Sequence, residues 1–383
     1  MITTNTVGAN KFAREMEDMM DYKVSVVIPM YNVKAYFKDC MDSLLNQTIG
    51  FNNIEVIIVD DHSDDGSFEM AKEYEKKYNN ITVTRTEERS KVAGHPRNVG
   101  IKLATGKYLM FTDPDDFYTL DACEIMYNAI EEKKADFINA NWRNADEDGT
   151  PWEKPVFDLE KYKDFEMTMT DYRDSFFVMN SSMCNKIFNR EFIMKNNIKC
   201  LEGVPAEDAY FTMSSFLVAK KVFYISNIIY NYRQRNNNSL SVSWNCSREY
   251  FSQINTAYKA LYEKFVEFNK IDFYRFMYAR SSTYMLYKFI DSTLLTDEDR
   301  IEILSEMRWY YKLGQTLNVP ACQKSLSILL RKIIAGSYKD VIDICKIIAE
   351  VRSYMTKDMK ERMSKPYTEM YNEMMKSKWP IED

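Results

Sequence analysis

The sequence predicts an α/β fold with a mostly parallel sheet, followed by an all-helical module, and three observations carry that prediction. Short β-branched runs alternate with helical stretches from residue 23 to 140. Gly and Pro are scarce, 10 and 9 in 383 residues, which disfavours an all-β protein built on tight turns. Beyond residue 240 the strand-like runs stop and long amphipathic stripes replace them.

The first element, Lys23 to Pro29, is a β-branched apolar run closed by proline, the mark of a buried parallel strand. Tyr36, Phe37, Cys40, Leu44 and Leu45 then recur at helical spacing. Ile54 to Asp60 predicts a second buried strand, and Ser67 to Tyr78 a helix with Phe68, Ala71 and Tyr74 on one face. Ile81 to Arg85 predicts a short third strand, Arg97 to Ala104 a helix, and Lys107 to Thr112 a fourth strand. Leu120 to Lys133 reads as a helix and Asp136 to Ala140 as a strand.

From Trp142 to Phe165 charges and prolines predict loops. Phe176 to Arg235 reads as short helices with one strand, Lys221 to Ile225. The Asn236 to Asn238 break precedes a stripe of Phe251, Ile254, Tyr258, Leu261 and Phe265, and similar stripes run to Trp379. The expected organisation is an N-terminal extension at 1–22, a catalytic α/β domain at 23–240 and a helical domain at 241–383. No internal repeat or low-complexity stretch is visible.

Composition excludes several classes. The net charge of −6 argues against broad nucleic-acid binding. Charge is uneven: from Trp244 onward Lys and Arg outnumber Asp and Glu by 22 to 19, against 29 to 38 before it. Such a tail suits an anionic polymer or a membrane surface, and chance distribution accounts for it equally well. Seven widely spaced cysteines without a C-x-x-C pair argue against a zinc ribbon or a disulfide framework and read as buried thiols. Two histidines, His62 and His95, rule out a histidine-rich metal site. The first 22 residues lack a signal-peptide core, and no run of about 18 apolar residues appears, so a cytoplasmic protein is expected, with the inner membrane face as a further place of work.

In an open α/β sheet, ligands bind beyond the carboxyl ends of the strands. Three predicted strands end in polar clusters: Pro29-Met-Tyr-Asn32, Asp60-Asp-His-Ser-Asp-Asp65 and Asp113-Pro-Asp-Asp116. Packed carboxylates repel one another, and a cation reconciles them. The Asp113-x-Asp115 spacing suits a hard divalent ion, Mn2+ or Mg2+, which neutralises charge growing on a leaving diphosphate. Either acidic pair alone is also what ordinary turns and helix caps contain; their joint position at neighbouring strand ends is the signal.

These residues resemble a known family. Val24 to Asn32 is similar to the opening of family 2 inverting glycosyltransferases with the GT-A fold. Ser43 to Thr48, Val59 to Gly66, Pro96 to Gly100 and Phe111 to Asp116 follow in the family's order. Ala206-Glu-Asp208 resembles the acceptor-side motif, and Asn231 to Arg235 a segment of members that build bacterial surface polysaccharides. The resemblance covers residues 23 to 240. A looser likeness, in Pro96 to Lys102, Ala206 to Asp208 and Tyr250 to Tyr258, is to wall-teichoic-acid N-acetylglucosaminyltransferases, which act on poly(ribitol phosphate) and include trimers.

The resemblance implies roles. Pro29 and Tyr31 would border the nucleotide base, with Asn32 beside the donor, and Asp61 would accept a hydrogen bond from uracil. Arg97 would approach the diphosphate, Asp113 the ribose or the metal's water shell, and Asp115 would ligate the metal. Asp208 would be the general base and Glu207 would hold the acceptor. An inverting transfer needs a carboxylate opposite the leaving group, which puts the base on another segment than the metal ligand. A helix N-terminal carboxylate is the bland alternative for the Glu207–Asp208 pair. Arg233 and Arg235 suit a diphosphate or anionic acceptor, or a solvated strand end. His95 stands where the family more usually has a small residue.

The expected activity is transfer of a sugar, GlcNAc in the first instance, from a UDP-sugar to a cell-surface glycan or teichoic-acid-type polymer. Hexose transfer to a lipid-linked precursor and a non-catalytic polymer-binding scaffold stand as alternatives. A nucleotidyltransferase fits less well, because the Met30 to Tyr36 loop has no glycine to cradle a triphosphate. The helical stripes suit an oligomer interface or a membrane surface.

Overall fold

The computed structural model describes residues 22–168, 175, 178–235, 246–317 and 324–354. The N-terminal extension before Tyr22, the Asn236 to Asn238 break, Cys322 and the stripes after 354 lie outside the described residues. The chain divides into two compact units, Met1–Asn236 and Asn237–Asp383.

The first unit is built on a sheet of β1 (Val24–Met30), β2 (Ile54–Asp60), β3 (Ile81–Arg85), β4 (Tyr108–Phe111), β5 (Phe117–Tyr118), β6 (Phe137–Ala145), β7 (Pro151–Pro155), β8 (Phe165–Met167), β9 (Lys186–Asn189) and β10 (Val222–Arg233). Its helices are α1 (Phe37–Leu45), α2 (Ser67–Lys77), α3 (Gly94–Leu103), α4 (Ala122–Lys133), α5 (Arg190–Lys195) and α6 (Glu207–Val218). The strand order is β3-β2-β1-β4-β9-β6-β10-β5, with β7 on β6 and β8 on β10.

The sheet is mixed. It is parallel from β3 to β4, the half that the βα alternation predicts. There β9 enters antiparallel to both β4 and β6, and β10 then runs parallel to β6. The predicted loops at 142–165 contain β7 and part of the extended β6, and the single strand expected in 176–235 is two, β9 and β10.

β1 and β2 are buried at every position. Each fully buried Val or Ile there contributes roughly 1.5–3 kcal/mol. Of the two buried carboxylates in β2, Glu55 accepts from Ser25 Oγ at 2.5 Å and from the Thr105 N–H at 2.8 Å. α3 lies hard against β1: a Cβ on Gly100 would meet Val27 Cγ1 at 2.3 Å, so only glycine lets helix and strand approach this closely.

The second unit is helical: α7 (Arg248–Glu267), α8 (Ile271–Asp291), α9 (Asp297–Glu306), α10 (Arg308–Thr316), α11 (Lys324–Ala335) and α12 (Tyr338–Ser353). Of the expected α7 stripe, Phe251, Ile254, Leu261 and Phe265 are buried, and Tyr258 is half-buried. The core is aromatic. Tyr310 lies 4.8 Å from the Tyr278 ring and 5.1 Å from Tyr258, and its hydroxyl meets Ser281 Oγ at 2.6 Å. Thr296 and Asp299 form a reciprocal capping box at the head of α9, worth about 1 kcal/mol. Six of the seven cysteines are described, all free thiols and all buried except half-buried Cys246. No helix among the described residues is long and apolar enough to cross a membrane.

Candidate active site

Parallel strands β2, β1 and β4 deliver their carboxyl ends to one edge of the sheet, and the polar clusters gather there. After β1 the chain turns at Asn32, whose φ of 50° is left-handed. Its side chain donates to Asp64 at 2.8 Å and accepts from the Asp64 N–H at 3.0 Å, while its own N–H reaches Ser63 Oγ at 3.0 Å. Asn32 thus ties the loop after β1 to the loop after β2. Pro29 is buried within β1, and half-buried Tyr31 packs under Arg89, 4.1 Å from ring centroid to guanidinium.

Asp60 and Asp61 divide the work at the end of β2. Asp60 is fully buried and holds Arg85 at 2.7 Å. The Asp61 carboxylate accepts from Thr86 Oγ1 at 3.1 Å and from the N–H groups of Ser90 and Lys91 at 2.8 and 3.0 Å. It therefore shapes the 86–91 loop around Tyr31. A carboxylate has about four acceptor sites, so about one remains for a ligand N–H.

Three carboxylates follow β4. Asp116 is buried and accepts from the Tyr230 hydroxyl at 2.7 Å and the Arg233 N–H at 2.8 Å. Burial, followed by the charges of Asp115 and Asp113, pushes its proton affinity well up. Asp115 is also raised, by burial and then by Asp113. Arg235 pairs with it at 3.0 Å. Arg233 is buried behind this turn: it donates to the Asp115 and Glu147 carbonyls at 2.8 and 2.7 Å and to Asp39 at 2.7 Å, between the rings of Tyr36 and Phe117. Of the two arginines expected at the donor, Arg233 braces the turn and Arg235 reaches the Asp115 carboxylate.

Among the described residues no three His, Cys, Asp or Glu side chains converge as a complete metal cage. A hard divalent ion of the Mg2+ type typically takes one or two carboxylates and draws its other ligands from phosphates and water. Asp115, raised by burial and then by the charge of Asp113, fits that pattern, since a bound cation would offset both.

The acceptor-side pair opens α6. Ala206 precedes it at φ 62°, a left-handed turn that costs a non-glycine residue about 1 kcal/mol and aims Glu207 and Asp208 off the first turn. Asp208 accepts one hydrogen bond, from the Ala209 N–H at 2.6 Å. Burial, then the neighbouring Glu207 charge, push its carboxyl up to about 7, against the opposing pull of Arg97. Arg97, buried in α3, joins the two sides of the site: Nη1 donates to Glu207 at 2.7 Å and Nη2 to Asp113 at 2.7 Å.

Lys186, at the start of β9, is a residue that the sequence reading passed over. It is fully buried and donates to Ser182 O at 2.6 Å, Asn180 Oδ1 at 2.9 Å and Asn185 Oδ1 at 3.0 Å. Burial pulls its ammonium down to about 7, while the charges of Cys184 and Asp208 work the other way. Its signal in the sequence was a lone cation opening the apolar run Ile187-Phe188. The pairing of Tyr230 with Asp116, an acid of the cluster after β4, was missed as well, because the two stand 114 residues apart.

Comparisons with known proteins agree with this architecture. The Glycosyl transferase family 2 model matches residues 25–195. Over 246 residues the chain is 32% identical to poly(ribitol-phosphate) beta-N-acetylglucosaminyltransferase TarP of Staphylococcus aureus, covering 63% of this chain and 72% of that protein. Over 283 residues it is 30% identical to a poly(ribitol-phosphate) beta-glucosyltransferase of Bacillus spizizenii, covering 73% of this chain but only 43% of that longer relative. The crystal structure of S. aureus TarS 1-349 in complex with UDP-GlcNAc superposes with a TM-score of 0.68 at 21% identity, over 86% of this chain and 91% of that one, a likeness of fold. With the GT-A-type sheet, the acidic strand ends and these matches together, the chain belongs to glycosyl transferase family 2.

Proposed function

We propose that this chain is an inverting glycosyltransferase that moves GlcNAc from UDP-GlcNAc to a hydroxyl of a teichoic-acid-type polymer or related cell-surface glycan. One observation carries the reading: Asp208, raised to about 7 and hydrogen-bonded to its own helix at Ala209, is linked through Glu207 and Arg97 to Asp113 at the strand end where a donor would bind. A carboxylate near neutrality is matched to taking a proton from a sugar hydroxyl at physiological pH.

In the proposed step, ionised Asp208 accepts the acceptor O–H proton as that oxygen bonds to the anomeric carbon. The bond from that carbon to the diphosphate oxygen breaks, its electron pair leaves with UDP, and the configuration inverts. Asp61 would offer its remaining acceptor position to the base, beside Tyr31 and Pro29, with Asn32 and Asp113 bordering the donor. Asp115 would hold Mn2+ or Mg2+ together with the donor phosphates, and the ion supplies positive charge to the leaving group when bound. Arg235 is the guanidinium we assign to the diphosphate once Asp115 engages the cation, with Arg233 bracing the turn beneath it. Such chemistry belongs on the cytosolic side of a membrane, where we place the enzyme, and the helical unit would serve oligomer or membrane contact.

The name of the S. aureus relative favours GlcNAc, and that of the Bacillus relative favours glucose as the second donor to test. UDP release from UDP-GlcNAc, UDP-Glc, UDP-Gal and UDP-GalNAc, with poly(ribitol phosphate) as acceptor and with or without EDTA, tests the reading. Metal-dependent release with one donor is expected; no release with any of them, across an acceptor panel, rejects it.

A further inference from the structure

Arg97 has two features that a diphosphate-binding arginine does not need. Its side chain is only 5% exposed, and both of its terminal nitrogens are engaged by carboxylates on opposite sides of the site, Glu207 and Asp113. Among the described residues its Nε is enclosed without a hydrogen-bond partner, and the guanidinium is held by its two ends.

The helix that carries it is fitted to the segment leading into α6. Asn98 brackets Cys200, donating to its carbonyl at 3.0 Å and accepting from its N–H at 2.9 Å, and also donates to Glu202 at 2.7 Å. His95 meets Glu202 at 3.1 Å. At Gly94 a Cβ would lie 1.9 Å from the Leu201 carbonyl oxygen and 3.3 Å from Glu207 Cβ, so the helix backbone itself abuts the segment. Contacts thus run along 200–207 from Cys200 to Glu207, and Arg97 makes the last of them before Asp208.

We propose that Arg97 is a positioning residue: by bridging Asp113 at the donor strand end and Glu207 at the head of α6, it holds the segment that presents Asp208 in register with the donor site, rather than binding the donor diphosphate itself. The inference rests on the glycosyltransferase reading for what Asp208 does, but the bridge is a matter of geometry. Its logic is that of a fork spanning two carboxylates, which a lysine, a single point donor, does not reproduce. The groups around Asp208 are Glu207 on its own helix, Arg97 from α3, Asp113 after β4, Lys186 from β9 and Cys200 from the incoming segment. Arg97 is the cation among them that bonds to both neighbouring acids.

The test uses the full chain with Arg97→Lys and Arg97→Met, measuring UDP affinity by calorimetry with Mn2+, amide exchange across 198–210, and steady-state kinetics. A diphosphate ligand would tolerate lysine, itself a good phosphate binder. A bridge would not, so the lysine variant should lose about as much kcat as the methionine variant, on the order of tenfold or more. Exchange in 200–208 should quicken about tenfold, with UDP affinity of Arg97→Lys held within about threefold. Unchanged exchange, or a larger fall in UDP affinity of the lysine variant, overturns the proposal. If the wild-type chain turns over no UDP-sugar, the functional reading fails while exchange and UDP binding still decide this one. If Arg97→Met does not fold, the lysine variant alone decides it.

Discussion

The two acidic clusters of the site are built from like materials and balanced differently. After β4, Asp113, Asp115 and Asp116 stand within four residues, and Arg97, Arg235 and the Arg233 backbone, with the Tyr230 hydroxyl, give each a partner. At the head of α6, Glu207 takes the shared arm of Arg97, and among the described residues Asp208 receives the N–H of Ala209 alone. Burial and like charge raise carboxyls in both places. On the donor side each raised acid is held by a group from elsewhere in the fold, whereas the hydrogen bond that Asp208 accepts comes from its own helix.

The contrast is broken most directly by Asp208→Asn. Transfer should fall about 10²–10⁴-fold, with UDP affinity retained, because the amide keeps the shape and cannot take the proton. Initial rates and calorimetry check it, and an active variant would remove Asp208 from the role. Arg233→Met attacks the anchoring side instead. It strips a buried guanidinium from Asp39 and from the carbonyls of Asp115 and Glu147, and should cost about 3–5 kcal/mol in denaturant unfolding. A cost near zero would mean that the turn after β4 does not depend on that brace.

The third expectation is in pH. The ionised form of Asp208 is the base, so kcat/KM should drop about tenfold per pH unit below about 7 and level off above it. Stability moves the opposite way. A carboxyl raised in the fold binds its proton more tightly there than in the unfolded chain, so its contribution worsens as pH climbs from the ordinary carboxylate range to about 7. Asp208→Asn should therefore melt higher than wild type at pH 8 and equally at pH 3, and equal melting at both would deny the buried charge. The smallest effect belongs to His95→Gln, which loses only the partly exposed pair with Glu202 and should change stability by about 0.5 kcal/mol or less.

Much of the donor half was legible in sequence. β1, β2 and β4 are continuous apolar runs closed by polar clusters, and the structure has them within a residue or two of the expected ends. β9 was not legible, since it is four residues long, opens on Lys186, and exists only through antiparallel pairing with β4 and β6. Local pattern cannot announce a strand whose partners lie tens of residues away. The same holds within the site. Asp113, Asp115, Glu207 and Asp208 stood out as acids in motifs, but the Arg97 bridge between positions 16 and 110 residues distant had no local sign. Arg233 suited a diphosphate, an anionic acceptor or a solvated strand end in sequence, and its bracing role was hidden because its three acceptors come from three separate segments.

Gly94 has a further consequence. With helix backbone against the Leu201 carbonyl, the segment leading into α6 leaves no room for a side chain at position 94. Gly203, a few residues along the same segment, has no neighbouring atom within 4 Å of where a Cβ would stand, but its φ of 70° is left-handed, so a side chain there is strained despite the space. Variation along this segment is thus closed at 94 by contact and disfavoured at 203 by backbone conformation, so the stretch leading into Glu207 and Asp208 is constrained at both glycines.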